Sequence, residues 1–318
     1  MKPFIWDNHQ CMPLRPDDVS FLPQLRSIKN GGIDIVSLNI GFDSLPWHTC
    51  IQMLATFRRW LKQHQDEYYL VESVEDIETG LETEKLGVTF DIEGGGAINN
   101  HLPMIQLYYD LGVRWMLFAY NTANSLGGGC REIGSGLTSF GAQVLEEMER
   151  VGMVVCCSHI NQKTAMDIIH AASNPVIFSH SNPCALKNHY RNISDEVIIA
   201  CAGIGGVIGI TGVGALLEDS KNIVDSYIGA IDYTVQLVGP EHVGLGTDYA
   251  YDKEELFAYV SKHASVYGSE DIENVLTLLE PRQLSQVAEG LLQRNYLEND
   301  VRAILGGNFL RIAKSVWR

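Results

Sequence analysis

The chain has 318 residues, 46% of them hydrophobic, and carries 39 acidic against 23 basic side chains for a formal net charge of −16. That excess of negative charge disfavours nucleic acid and anionic membranes as partners, and the length suits one large α/β domain over residues 1–318. No apolar run approaches the ~20 residues that cross a bilayer, and the 7 cysteines include no CxxC pair, so reduced thiols and a cytoplasmic location are expected.

Short apolar runs alternate with helix-length amphipathic segments. In chain order the strand candidates are FIWDNH from Phe4, IDIVSLNI from Ile33, GVTFDIE from Gly87 and VRWMLFAYN from Val113. The second half continues with MVVCCSH from Met153, PVIFSHS from Pro175, GGVIGITG from Gly205 and HVGLGTDY from His242. Strands buried on both faces of a parallel sheet read as continuous apolar runs of this kind, and the segments between are long enough for crossover helices. Thr138 is placed to cap the helix SFGAQVLEEMERVG, Ser194 precedes an acidic first turn, and Gly239 with Pro240 stops YIGAIDYTVQLV. Beyond about residue 250 only helical segments remain, PRQLSQVAEGLLQRNY and NDVRAILGGNFLRIAKSVW, which are expected to cover the outside of the fold. The expectation is an α/β (β/α)8 TIM-type barrel with extra C-terminal helices. An open doubly wound sheet is the alternative, and no GxGxxG or GxxxxGK follows a strand to support nucleotide binding.

Polar residues close the apolar runs where a barrel core would not want them. His9 and Cys11 end the first, Glu93 the third, Tyr120 and Asn121 the fourth, His159 the fifth, His180 the sixth and Asp248 the last. In a parallel barrel all C-terminal strand ends share one rim, so residues far apart in sequence converge on one pocket. Three histidines, a glutamate and an aspartate form a nitrogen and oxygen ligand set suited to zinc, either one ion or a carboxylate-bridged pair. Any one of these side chains alone reads more simply as a hydrogen-bonded structural residue. Their coincidence at strand ends argues otherwise, because His48, His64, His101, His170 and His263 fall in helix-like or loop segments, and His189 and His242 end no strand.

The stretches DIEGGGAI, LGVRWMLFAYNTANSLG, GLTSFGAQVLEEMERVGMVVCCSH, PVIFSHSNPCALKNHYRNISDE, GGVIGITG, HVGLGTDY and GGNFLR resemble, in order, the renal (membrane) dipeptidase family of the amidohydrolase superfamily. The resemblance implies a barrel enzyme with two Zn²⁺ ions, usually a homodimer, that hydrolyses dipeptides by a metal-bound hydroxide and often tolerates a C-terminal D-residue. By position, His9 would bind the first zinc, Glu93 would bridge, and His159 and His180 would bind the second. Arg191 would hold the substrate carboxylate, a task suited to a guanidinium fork, and Asp248 would carry the proton from water to the leaving amine. Two positions depart from the family. Cys11 stands where the family has an aspartate ligand, so the metal set implies either a sulfur-ligated pair or a single Zn²⁺. Tyr120 stands where the family has a histidine that polarises the scissile carbonyl, and its hydroxyl is a donor for the same oxygen, with Asn121 beside it as a substrate contact. The expected substrate is a dipeptide or a related small N-acyl amino acid. The alternatives are a one-metal amidohydrolase acting on a non-peptide amide or lactone, and a binding protein that kept the barrel after its catalytic residues drifted.

Overall fold

A computed structural model describes residues 3–263 and 274–318. Among the described residues ten strands form one parallel sheet: β1 (Trp6–Cys11), β2 (Ile35–Phe42), β3 (Tyr68–Leu70), β4 (Leu86–Glu93), β5 (Val113–Leu117), β6 (Val154–Cys156), β7 (Ile177–Phe178), β8 (Val207–Ile210), β9 (Val243–Leu245) and β10 (Tyr249–Ala250). The strand order runs β10-β1-β2-β4-β5-β6-β7-β8-β9, and Asp7 of β1 also pairs with Leu245 of β9. That last pairing closes an eight-stranded barrel, so the open-sheet alternative is excluded. The fold is the (β/α)8 barrel expected from the apolar runs.

Two short strands had no signal of their own. β3 pairs with the first half of β4 (Tyr68↔Leu86 to Leu70↔Val88), and β5 takes over from Phe90↔Val113. β10 continues the path of β9 beside β1 after an interruption at Asp248. The runs are also longer in sequence than the strands they make. Tyr120 and Asn121 lie past the end of β5, His159 past β6, His180 past β7, and Asp248 past β9. Beyond the ladder ends Asn121, His159 and Asp248 have φ of 62°, 64° and 58°, a left-handed turn that re-aims the side chain.

Strand alternation sorts the core into two parts. Val88, Phe90 and Ile92 of β4 join Val36, Leu38 and Ile40 of β2 in the layer beneath the helices, where Phe90 meets Phe57 of helix Trp47–Gln63 at 6.1 Å between centroids. The second cluster contains Trp6, Ile35, Trp115, Val154, Ile177 and Val207. The helix signals hold: Thr138 accepts from the Gly141 N–H, Ser194 accepts from the Val197 N–H, and Gly239 ends helix Ile223–Val238 at φ 92°.

The C-terminal helices do not all cover the outside. Helix Leu284–Gln293 packs on helix Ile223–Val238 as expected. Helix Asn308–Val316 instead sends Phe309, Ile312, Ala313 and Val316 into the second cluster. The Asn308 Nδ2 donates to the carbonyls of Pro240 and Val243, 2.7 Å each, which ties this helix to the start of β9. It therefore closes the N-terminal end of the barrel and leaves the C-terminal rim open. Its amphipathic pattern shows one apolar face but not which neighbour that face meets. Among the described residues no helix is long and apolar enough to cross a membrane.

Candidate metal centre

The pleat of β4 places Thr89, Asp91 and Glu93 on the face opposite Val88, Phe90 and Ile92, so polar side chains point into the upper barrel. Glu93 Oε1 lies 3.2 Å from His159 Nε2, 3.2 Å from His180 Nε2 and 3.6 Å from His9 Nε2. The two nitrogens of His159 and His180 are 2.8 Å apart. On the other side of His9 its Nε2 is 3.4 Å from Cys11 Sγ and 3.4 Å from Asp248 Oδ1, and the thiol is 3.3 Å from that same carboxylate oxygen. All six residues named as ligands or proton carrier thus meet at one place, His9 being common to both halves.

Outer contacts aim the ligands. Asn121 Oδ1 sits 2.8 Å from His159 Nδ1, which keeps that proton outward and turns the Nε2 lone pair toward Glu93. Ser179 Oγ contacts His180 Nδ1 at 2.8 Å, and Asp91 Oδ1 lies 3.2 Å from His9 Nδ1, an ion-pair distance without the alignment of a good hydrogen bond. Asn39 Nδ2 donates to both Asp91 and Glu93 at 3.2 Å, and Ser37 donates to Asp91 at 2.6 Å. Convergent imidazole nitrogens around one carboxylate oxygen are the donor set of a divalent metal, and these residues fit zinc.

Burial governs the electrostatics. It pushes the Glu93 carboxyl up to about 8, against the pull of His9, and holds His159 and His180 well below the ordinary imidazole range. His9 goes the other way: although burial opposes its charge, Asp91, Cys11 and Glu93 together raise it well above that range. Burial likewise pushes the Cys11 thiol up.

Around the centre, Tyr120 stacks on His159 at 4.2 Å between rings, and Arg191 reaches in from the loop after β7. The Arg191 guanidinium is buried, donates to the His180 carbonyl at 3.1 Å, and forms no ion pair among the described residues. His189 lines the same cavity and accepts from the Arg191 N–H through Nδ1, whereas His242 faces the Gly206 carbonyl at the start of β9. A wider cavity of about 730 Å³, between the 130–134 loop and helix Gln162–Ala171, contains none of the six converging residues.

Sequence reasoning passed over Asp91, Asn39 and Ser37. The alternation T-D-E at 89, 91 and 93 was the available signal for Asp91, since every second residue of β4 is polar. Asn121, expected as a substrate contact, lines the cavity, and its carbonyl oxygen also meets His159 and the Cys130 thiol at 3.3 Å.

The sequence model of one family, described as membrane dipeptidase (peptidase family M19), matches residues 43–318, which leaves His9 and Cys11 ahead of the matched region. An uncharacterized protein in the pqqA 5′ region of Klebsiella pneumoniae is 29% identical over 84% of this chain and 96% of its own length. Dipeptidase 3 of Rattus norvegicus is 28% identical over 79% of this chain but 48% of its own, so the chain spans about half the length of that relative. Among solved structures, an amidohydrolase from Pseudomonas aeruginosa superposes with a TM-score of 0.86 at 25% identity, over 99% of this chain and 97% of the other. A metallo peptidase from Rhodobacter sphaeroides, liganded with a phosphinate mimic of the dipeptide L-Ala-D-Ala, superposes at 0.77 with 17% identity over the full length of both chains. On these matches the chain belongs to the membrane dipeptidase family, peptidase family M19, and is a metal-dependent hydrolase.

Proposed function

We propose that this protein hydrolyses dipeptides with a free C-terminal carboxylate, D-residues at that end included, using a pair of zinc ions. The observation that carries this reading is a buried, unpaired guanidinium beside a convergent His/Glu cluster: Arg191 has a charge to satisfy, next to donors suited to a metal. A divalent cation held there supplies Lewis acidity to the attacking water and the scissile carbonyl. The protein's own groups do the rest. Arg191 grips the substrate carboxylate with its planar fork and so fixes the distance from that anchor to the amide. Asp248, with its side chain 21% exposed, reaches the cavity, takes a proton from water and passes it to the departing amine. The Tyr120 hydroxyl donates toward the oxygen that gains charge, a geometry fixed by the stacking of its ring on His159.

Cys11 favours a second reading, one ion held by Glu93, His159 and His180, because a thiol beside His9 and Asp248 stands where the family resemblance expects a carboxylate ligand. Metal analysis of protein purified without chelators separates the two: two zinc ions per chain support the pair, one supports the second reading, and none overturns both. The seven free cysteines support a reducing compartment such as the cytoplasm, and family membership supports a homodimer.

The activity itself is tested with L-Ala-D-Ala and L-Ala-L-Ala on metal-loaded protein, beside N-acetyl-alanine and an alaninamide analogue that lacks the terminal carboxylate. Cleavage of the first two with loss of activity on the amide is expected. Equal rates with and without the carboxylate would remove the role given to Arg191.

A further inference from the structure

Two cavities meet at the metal centre. Both are lined by Cys11, Glu93 and Tyr120, so the reacting atoms lie where the cavities join. The smaller, about 120 Å³, contains Arg191, Asn121 and His159, whereas the larger, about 420 Å³, does not reach Arg191. A substrate anchored by its carboxylate on Arg191 therefore puts its C-terminal residue in the smaller cavity. Across the scissile bond, its N-terminal residue enters the larger one.

Part of the wall of that larger cavity is aromatic and aliphatic. Phe42 meets Tyr120 at 5.2 Å between ring centroids and Tyr259 edge-on at 5.4 Å, and Leu14 and Leu45 extend the surface, whereas Tyr120, Leu256 and Tyr259 line both cavities. The lining also carries charge, Glu93, Asp252 and Glu255 against Lys262. Asp252 and Glu255 are both engaged by Arg15, and Lys262 adds a positive charge to the same lining. Ring edges and faces set 5 to 6 Å apart are the surroundings in which a further aromatic ring gains from offset or edge contacts.

We infer that the enzyme selects dipeptides whose N-terminal residue is large and apolar, aromatic side chains above all, with Phe42, Leu14 and Leu45 as the wall that holds them. The inference rests on the reading of Arg191 as the carboxylate anchor.

The test is kcat/KM of the metal-loaded enzyme on X-Ala dipeptides with X as Gly, Ala, Leu, Phe, Lys and Glu. Burial of the whole side chain predicts that Phe and Leu exceed Gly by about tenfold or more. Phe42→Ala narrows the ratio of Phe-Ala to Gly-Ala severalfold, and Leu45→Ala serves the same purpose if the first variant does not fold. Equal rates across the panel, or preference for Gly, Lys or Glu, overturn the inference and leave dipeptide hydrolysis standing. Failure to cleave any member overturns the dipeptidase reading itself, and this inference with it.

Discussion

On the proposed reading of the site, Cys11 sets the character of the first metal position. Its sulfur lies within 3.4 Å of His9 Nε2 and of the Asp248 carboxylate, so it faces the site rather than the core. If sulfur is a ligand, Cys11→Ala lowers zinc content by about one ion per chain, while Cys11→Asp, which returns an oxygen ligand, retains it. Elemental analysis of the purified variants decides this, and unchanged content in the alanine variant would exclude the thiol from coordination. Asp248 stands in the same cluster, close enough to His9 to touch either the metal or the water. As proton carrier it predicts that Asp248→Asn lowers kcat by about 10²- to 10⁴-fold with metal content unchanged. Loss of one ion together with activity would make it a ligand instead.

Asp248 owes its place to the element that carries it. Asp7 of β1 accepts from the Thr247 N–H at 2.8 Å, from the Thr247 hydroxyl at 2.5 Å and from Gln10 at 2.7 Å, so the turn after β9 is pinned to β1. Asp248 N–H in turn donates to the His9 carbonyl at 3.0 Å. Thr247→Val keeps the shape but leaves the buried Asp7 short of a donor, a cost of about 1–3 kcal/mol expected in urea denaturation, with a fall in kcat as the turn loosens. At the opposite end, Phe309 of helix Asn308–Val316 packs against Trp6 at 6.2 Å between centroids. Phe309→Ala is expected to cost about 3–5 kcal/mol by opening a cavity, with the zinc content of the folded protein unaffected. Equal loss of stability and metal would show that the two ends of the barrel are coupled.

At the scale of the whole molecule, the proposed metal centre is expected to make stability depend on pH and on zinc together. In metal-free protein the Glu93 carboxyl and the His9 imidazole both hold protons to higher pH than they would in an unfolded chain. The native state then binds more protons than the unfolded state above about pH 6.5, so its stability falls as pH rises through 8. His159 and His180, held neutral, act below 6.5, where stability is lost as pH falls. Zinc needs the deprotonated ligands, so the loaded protein gains where the metal-free protein loses. Melting temperatures of chelated and zinc-loaded samples are therefore expected to diverge between pH 6.5 and 8, and parallel curves would contradict it.

Eight apolar runs, their helix caps and the polar residues that close them were legible because hydrophobic period, capping side chains and turn residues are local properties of the chain. His9, Glu93, His159, His180 and Asp248 could be read as one rim for the same reason, given that parallel strands share a direction. The contact of Asn121 with His159 and the existence of β3 and β10 were not legible, since each depends on a neighbour distant in sequence: Asn121 on His159, β3 on the first half of β4, and β10 on β1. The closure of the barrel through Asp7 and Leu245, and the seating of the last helix under Trp6, likewise exist only once remote segments pack. Local pattern chooses the elements and the chemistry at their ends; long-range packing chooses which ends meet and at what distance.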